Sequence, residues 1–207
     1  MKRFLPPLLV LLACTIAAAQ SALLSPSNPS IEVSFPNTPY KIRAKNIYAV
    51  DFHNIRLHID EKLAVQLRNG KYNHRDKDGF DSVDLDAHCV EGEGGSSRYA
   101  IVEWTWIYGY GSSNSECAVQ VFALRSEHPV VVQQLYFDCH ALTAGSMFDT
   151  ESKKLTIGAR TDDDSPHCCA KTLDVVSYVW AESKFEQATF DRIPALVKKG
   201  PDGLEEH

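Results

Sequence analysis

Three cysteine sites in this chain carry a histidine neighbour: His88-Cys89, Cys139-His140 and His167-Cys168-Cys169. Thiolate and imidazole together suit zinc or copper, so one reading is a redox or metal-handling protein that uses His167 with the Cys168-Cys169 pair. The spacing argues the other way. The chain contains no Cys-x-x-Cys and no His-x-x-x-His. Neighbouring residues of an extended strand face opposite sides, so His88 and Cys89 would not grip one ion together. In an oxidising compartment the same cysteines read first as disulfide partners. No metal ligand is assigned and no cofactor is expected.

Besides Cys14, five cysteines remain: Cys89, Cys117, Cys139, Cys168 and Cys169. Five cannot all pair, so one is free or bonded to another molecule. Adjacent cysteines rarely bond to each other, because the small ring strains the peptide between them. Spacing does not determine connectivity. The preferred partners are Cys139 with Cys168 or Cys169, closing a loop of about 30 residues worth roughly 3–4 kcal/mol, and Cys89 with Cys117, both read as facing the core.

Other constellations resolve into blander chemistry. Asp76-Lys77-Asp78-Gly79-Phe80-Asp81 opens like a calcium loop, but Phe80 stands where an oxygen ligand is needed and no glutamate closes the loop. A solvated turn accounts for it. The run Asp162-Asp163-Asp164 is a charged loop. Gly111-Ser112-Ser113-Asn114-Ser115 lacks the second glycine of a nucleophile elbow. No catalytic residue is assigned. The enzymatic alternative is a secreted hydrolase with His167 or His140 as base and a loop aspartate beside it. Tyr108 and Tyr110, set among Gly109 and Gly111, could stack on a sugar ring or a partner protein; the simpler reading packs them over the end of a β core. Loops on a rigid scaffold carry function, so a binding surface is expected over 72–81, 108–113 and 162–167, from Asp76, Asp78, Tyr108, Tyr110, Ser112, Asp164 and His167.

These groups need positioning elements, and the sequence supplies strands. Lys2 and Arg3, the apolar run 5–16 and Ala17-Ala18-Ala19 before Gln20 read as a secretory signal over 1–19. The apolar run is shorter than the roughly 20 residues of a membrane span. Cys14 offers a lipid anchor as the lesser alternative. Signal removal takes Lys2 and Arg3 with it and leaves the chain more acidic than its formal −6, which argues against nucleic acid as partner. A flexible leader is expected over 20–39, holding one short strand at 31–35. An antiparallel β domain follows over 40–192, then a tail over 193–207 with at most one helical turn at its start.

Within the domain, period-two alternation runs through 40–58, 82–90, 99–108, 117–124, 130–137, 154–159 and 173–180. Val83, Leu85, Ala87 and Cys89 share one face of their strand; Ala100, Val102, Trp104 and Trp106 share another, and so do Cys117, Val119 and Val121. Asn69-Gly70 is a hairpin signal, and 72–81 reads as a polar loop. The bulk of the core is placed beside Tyr178 and Trp180. Strands at short intervals with Gly, Ser and Asn turns predict an all-β fold, an antiparallel meander forming a sandwich or a partly open barrel. The matching function is a non-enzymatic binding or structural module of the cell envelope, secreted or periplasmic, whose partner is an envelope protein or polysaccharide.

Several of these segments resemble a group of uncharacterised secreted bacterial proteins. The likeness rests on Leu67 to Tyr72, Trp104 to Ser113, Val119 to Phe122, and Ser165-Pro166-His167-Cys168-Cys169-Ala170 leading into Tyr178-Val179-Trp180. Ala170 stands where the group's Cys-Cys-Pro pattern has proline. The resemblance implies an exported β domain and supplies no catalytic residue.

Overall fold

Strands form over most of the segments that carry a period-two pattern, 40–58 being the exception. The computed structural model describes residues 30–60, 62–77, 79–90, 99–109, 114–140, 144–161, 171–195, 198–199 and 205–206. In chain order the strands are β1 (Ile31–Ser34), β2 (Thr38–Pro39), β3 (Arg56–His58), β4 (Ala64–Gln66), β5 (Lys71–Asp76), β6 (Gly79–Val90), β7 (Tyr99–Gly109), β8 (Asn114–Arg125), β9 (His128–Asp138), β10 (Gly145–Asp149), β11 (Lys154–Arg160), β12 (Thr172–Ala181), β13 (Lys184–Pro194), β14 (Lys198–Lys199) and β15 (Glu205–Glu206). All pairings are antiparallel. A seven-stranded sheet runs β1-β9-β8-β7-β6-β5, with β2 also on β9, and a four-stranded sheet runs β10-β11-β12-β13. The fold is an all-β sandwich, and the sheets do not close into a barrel.

β5, β1 and one face of β6 are largely exposed, whereas the central strands of the large sheet are covered on both faces. One face packs on the small sheet: Ile101, Val119, Val121, Leu135 and Phe137 meet Leu155, Ile157, Val176, Tyr178 and Phe185. The other carries Val83, Leu85, Val102, Trp104 and Phe122 beneath a cover built from residues 40–67, including Ile47, Phe52, Ile55, Leu57 and Leu67. The faces expected for 83–89, 100–106 and 117–121 are those observed. Because β8 lies under both covers, Cys117 to Phe122 are buried without interruption. A bulge at Val121/Phe122, opposite which β9 advances from Gln133 to Val131, lets β9 send Val131 to one core and Leu135 to the other.

Several expectations are corrected here. The stretch 40–58 forms mainly two 3-10 turns, Ile47–Ala49 and Phe52–Asn54, with only Arg56–His58 a strand. Ile47, Val50, Phe52 and Ile55 all point at the sheet, a spacing that alternation cannot deliver and short turns can. The polar loop at 72–81 is the hairpin β5–β6, turning after Asp76 into Gly79. The strand expected at 31–35 is present as β1, but the leader around it is less free than expected, since β2 also pairs with β9. Ile193 and Pro194 end β13 rather than start a helical turn. Tyr178 is buried, but Phe122 and Phe137, on β8 and β9, are the largest fully enclosed side chains.

The cysteine pairing also differs. Cys117 bonds to Cys139, 22 residues on, so Cys139 is taken and Cys117 does not reach Cys89. The reason is geometric. Cys89 sits on β6 facing the first core, whereas Cys117 sits on β8 facing the second, with β7 between them. Among the described residues Cys89 is the free thiol, half-buried, and burial pushes its pKa up. Cys168 and Cys169 lie outside the described residues.

Asn69-Gly70 forms the expected tight turn, with φ of 53° and 78° and reciprocal hydrogen bonds between Arg68 and Lys71. Gly70 is also threaded between layers: its N–H donates to the His53 carbonyl at 2.7 Å, and its carbonyl accepts from Leu85 at 2.8 Å. A Cβ there would lie 2.8 Å from the His53 ring and 2.9 Å from the Leu85 carbonyl oxygen. Gly70→Ala is expected to lower stability by about 1–3 kcal/mol, read as a lower urea midpoint at unchanged m. Reduction of the Cys117–Cys139 bond is expected to cost about 3 kcal/mol; equal midpoints for oxidised and reduced protein would contradict that.

Candidate functional site

The cover over the large sheet stops short of its β1 edge, and a cleft of about 660 Å³ opens there. Its floor is two cross-strand rows: Gln120, Gln134 and Ser34 in one, Tyr136 and Glu32 in the other. Its wall is Tyr40, His58, Ile59 and Asp60. The wall is held by local chemistry. The Asp60 carboxylate accepts from the N–H groups of Lys62 and Leu63 at 2.6 and 2.7 Å, closing the β3–β4 hairpin. Those donors, Leu63 first, hold its carboxyl below the usual range. Buried Tyr40 accepts from the His58 N–H at 3.3 Å and meets the His58 ring edge-on at 5.1 Å. Burial pushes its phenol up to about 12, against a smaller opposing effect of the His58 hydrogen bond.

Two mid-sheet glutamines are almost fully buried, at 2 % exposure each, and they differ. Gln133 is saturated by β13: its Nε2 donates to the Phe185 carbonyl at 3.0 Å, and its Oε1 accepts from the Phe185 N–H at 2.8 Å. That reciprocal pair ties the two sheets together. Gln120 lines the cleft; its Nε2 donates to Gln134 Oε1 at 2.7 Å, and its own Oε1 has no partner. A buried amide oxygen left unpaired costs about 1–3 kcal/mol, so this atom marks where a donor would be accepted. Nearby on the same sheet face, the buried Trp104 indole N–H also lacks an acceptor.

A second cleft, about 760 Å³, lies between the β12–β13 turn and the ends of β7 and β8. Its floor is apolar, with Leu124 and Val132. Two of its cations are engaged, Arg125 by Asn37 at 2.5 Å and Lys184 by Glu186 at 3.1 Å. It is larger but holds no unmatched buried polar atom among those described.

Two charge clusters hold structure together. Asp174, fully buried on β12, accepts from Arg192 Nε at 2.7 Å and Nη2 at 3.0 Å and from Ser30 Oγ at 2.8 Å. These bonds fasten the start of β1 to the small sheet. Asp86 and Glu103 sit directly opposite each other on β6 and β7, and His88 Nε2 lies 3.4 Å from an oxygen of each. Like charges at such a cross-strand site repel, and the His88 ring lies between the two carboxylates.

Of the surface expected from sequence, Tyr108 is the next-to-last residue of β7. Its hydroxyl donates to Glu116 Oε1 at 2.6 Å and its ring stacks on Trp106 at 4.1 Å, so it packs against the sheet. Asp76 ends β5. Asp78, Tyr110, Ser112, Asp164 and His167 lie outside the described residues. Asp138 Oδ1 accepts the His140 backbone N–H at 2.8 Å, and its Oδ2 is 3.2 Å from Arg160 Nη1, so this carboxylate anchors a turn and a cation. Among the described residues, no three or more His, Cys, Asp or Glu side chains are grouped to hold a metal ion. The cleft was missed by sequence reasoning. Its signal was polar Gln120 and the pair Gln133-Gln134 inside the mainly apolar strands Val119 to Phe122 and Val130 to Phe137, of which Gln120 and Gln134 line the cleft.

No protein-family model matches the chain, and no curated protein and no solved structure matches it either.

Tyr40, Tyr108 and Tyr178 all have phenols pushed up to about 12, chiefly by burial, from an ordinary 10.0. The unfolded chain therefore loses these protons first. Their contribution to stability is complete below pH 10 and is lost as pH climbs through 12. Phenolate absorbance of the native protein is expected to lag that of the denatured protein across this window, with the urea midpoint falling over the same range. Superimposable titrations would contradict the assignment.

Proposed function

We propose that this protein is a non-enzymatic binding module of the cell envelope, exported to the periplasm or beyond, which holds a partner on its β-sandwich. The observation that carries the reading is the cleft over β8, β9 and β1, where a rigid sheet presents amide, hydroxyl, carboxylate and aromatic groups together. Groups fixed on strands hold their geometry better than groups on loops, which suits recognition. Two further features support export. Residues 1–19 have the composition of a secretory signal. The Cys117–Cys139 bond is of a kind that persists in oxidising compartments. The partner class is an envelope polysaccharide or protein. No helix among the described residues is long and apolar enough to cross a membrane.

The test is mass spectrometry of the protein recovered from its own cells, unreduced. A mature chain beginning at Gln20, with Cys117 linked to Cys139, is the expected result. An acylated chain starting at Cys14 would keep export and add a lipid anchor. An intact Met1 with reduced Cys117 and Cys139 in the cytosol would overturn the reading.

A further inference from the structure

We propose that the cleft over β8, β9 and β1 binds an uncharged polyhydroxylated ligand, a segment of a neutral saccharide chain, with Gln120 as the buried specificity-determining residue. This rests on the reading of the protein as a binding module. Gln120 is 2 % exposed, lines the cleft, and keeps an amide oxygen that nothing in the described fold satisfies. The sister residue Gln133 shows that this sheet can saturate a buried amide completely. An unmatched acceptor enclosed just beneath the floor of a cleft, on a residue that lines it, is met by a donor that arrives with the ligand as the floor adjusts.

The surrounding groups narrow its chemistry. Glu32 and Asp60 stand on the exposed rim as acceptors, and the Ser34 and Thr38 hydroxyls both donate and accept. No described lysine or arginine lines the cleft, so an anion would meet two carboxylates with no permanent cation beside them. Tyr136 offers part of a ring as an apolar platform between these polar groups. Alternating acceptors and donors beside an aromatic face match a sugar ring, whose hydroxyls donate and accept and whose C–H face stacks. A polypeptide adding to the exposed edge of β1 would use backbone groups along the strand and not the side chains on the sheet face. The volume, about 660 Å³, is in the range of small-ligand sites, roughly 300–1,000 Å³.

The experiment uses the full exported chain, oxidised at Cys117–Cys139 and isotope-labelled, titrated with cellotetraose, maltotetraose, mannotetraose and chitotetraose. The expected result is that at least one binds at about millimolar Kd or tighter, shifting the signals of Gln120, Gln134, Tyr136 and Ser34. Gln120→Leu is expected to weaken that binding at least about tenfold, since the ligand's donor loses its buried acceptor. Glu32→Ala, on the exposed rim, weakens it without touching the core and serves if Gln120→Leu fails to fold. If all four sugars leave the cleft signals unmoved, the proposal is overturned. Should an extended peptide move those signals instead, the saccharide class falls and the binding reading stands. Cleavage of a tetraose by the purified protein would overturn the binding reading itself.

Discussion

Burial of the middle of the large sheet on both faces, centred on β8, is the constraint from which the remaining features follow. β8 runs between two covers, so every residue from Cys117 to Phe122 is enclosed. Such a strand carries no solvent face and its sequence loses the apolar-polar alternation of a half-exposed one. The bulge opposite Val121/Phe122 belongs to the same solution. By inserting one residue into β9, it sends Val131 to one core and Leu135 and Phe137 to the other. The covers differ in kind: one is a regular sheet, the other short turns and a small hairpin pinned by contacts such as Phe52 on Phe122 at 5.0 Å.

Polar groups inside such a sheet are costly unless matched, and the molecule matches most of them with specific partners. Gln133 exchanges two hydrogen bonds with the Phe185 backbone, and Asp174 takes three donors from Arg192 and Ser30. Gln120, like Glu103 and Trp104, keeps one buried polar atom unmatched, and the cover ends beside it. Where Tyr40, His58 and Asp60 stop, the sheet continues under open solvent through Gln134, Tyr136 and β1. The candidate site is thus a product of incomplete coverage, positioned by β8, β9 and the edge strand β1.

Much of the strand pattern was legible in the sequence, and the failures share one cause. Val83 to Cys89 and Cys117 to Val121 were each correctly assigned to an inward face, yet the two faces belong to opposite sides of one sheet. Nothing in local periodicity says that a sheet has two interiors, so Cys89 and Cys117 looked like partners. The same blindness hid the cleft: Gln120 and Gln134 interrupt apolar runs, but only the β8–β9 register sets them side by side. The cover at 40–58 was misread because Tyr48, Val50, Phe52 and Ile55 favour strands intrinsically, while packing onto a twisted sheet favoured 3-10 turns.

By itself, the amino-acid sequence determined the β class, most strand positions, the Asn69-Gly70 turn and the facing of residues within each strand. These depend on neighbours one to four positions away, where backbone sterics and period-two pleating act directly. Tertiary structure alone decided that Cys117 meets Cys139, that Asp174 receives Arg192 and Ser30, and that Gln120 lies at the floor of an open cleft. Each of those joins separate strands, and register, bulge and layer order arise only when the whole sheet is assembled.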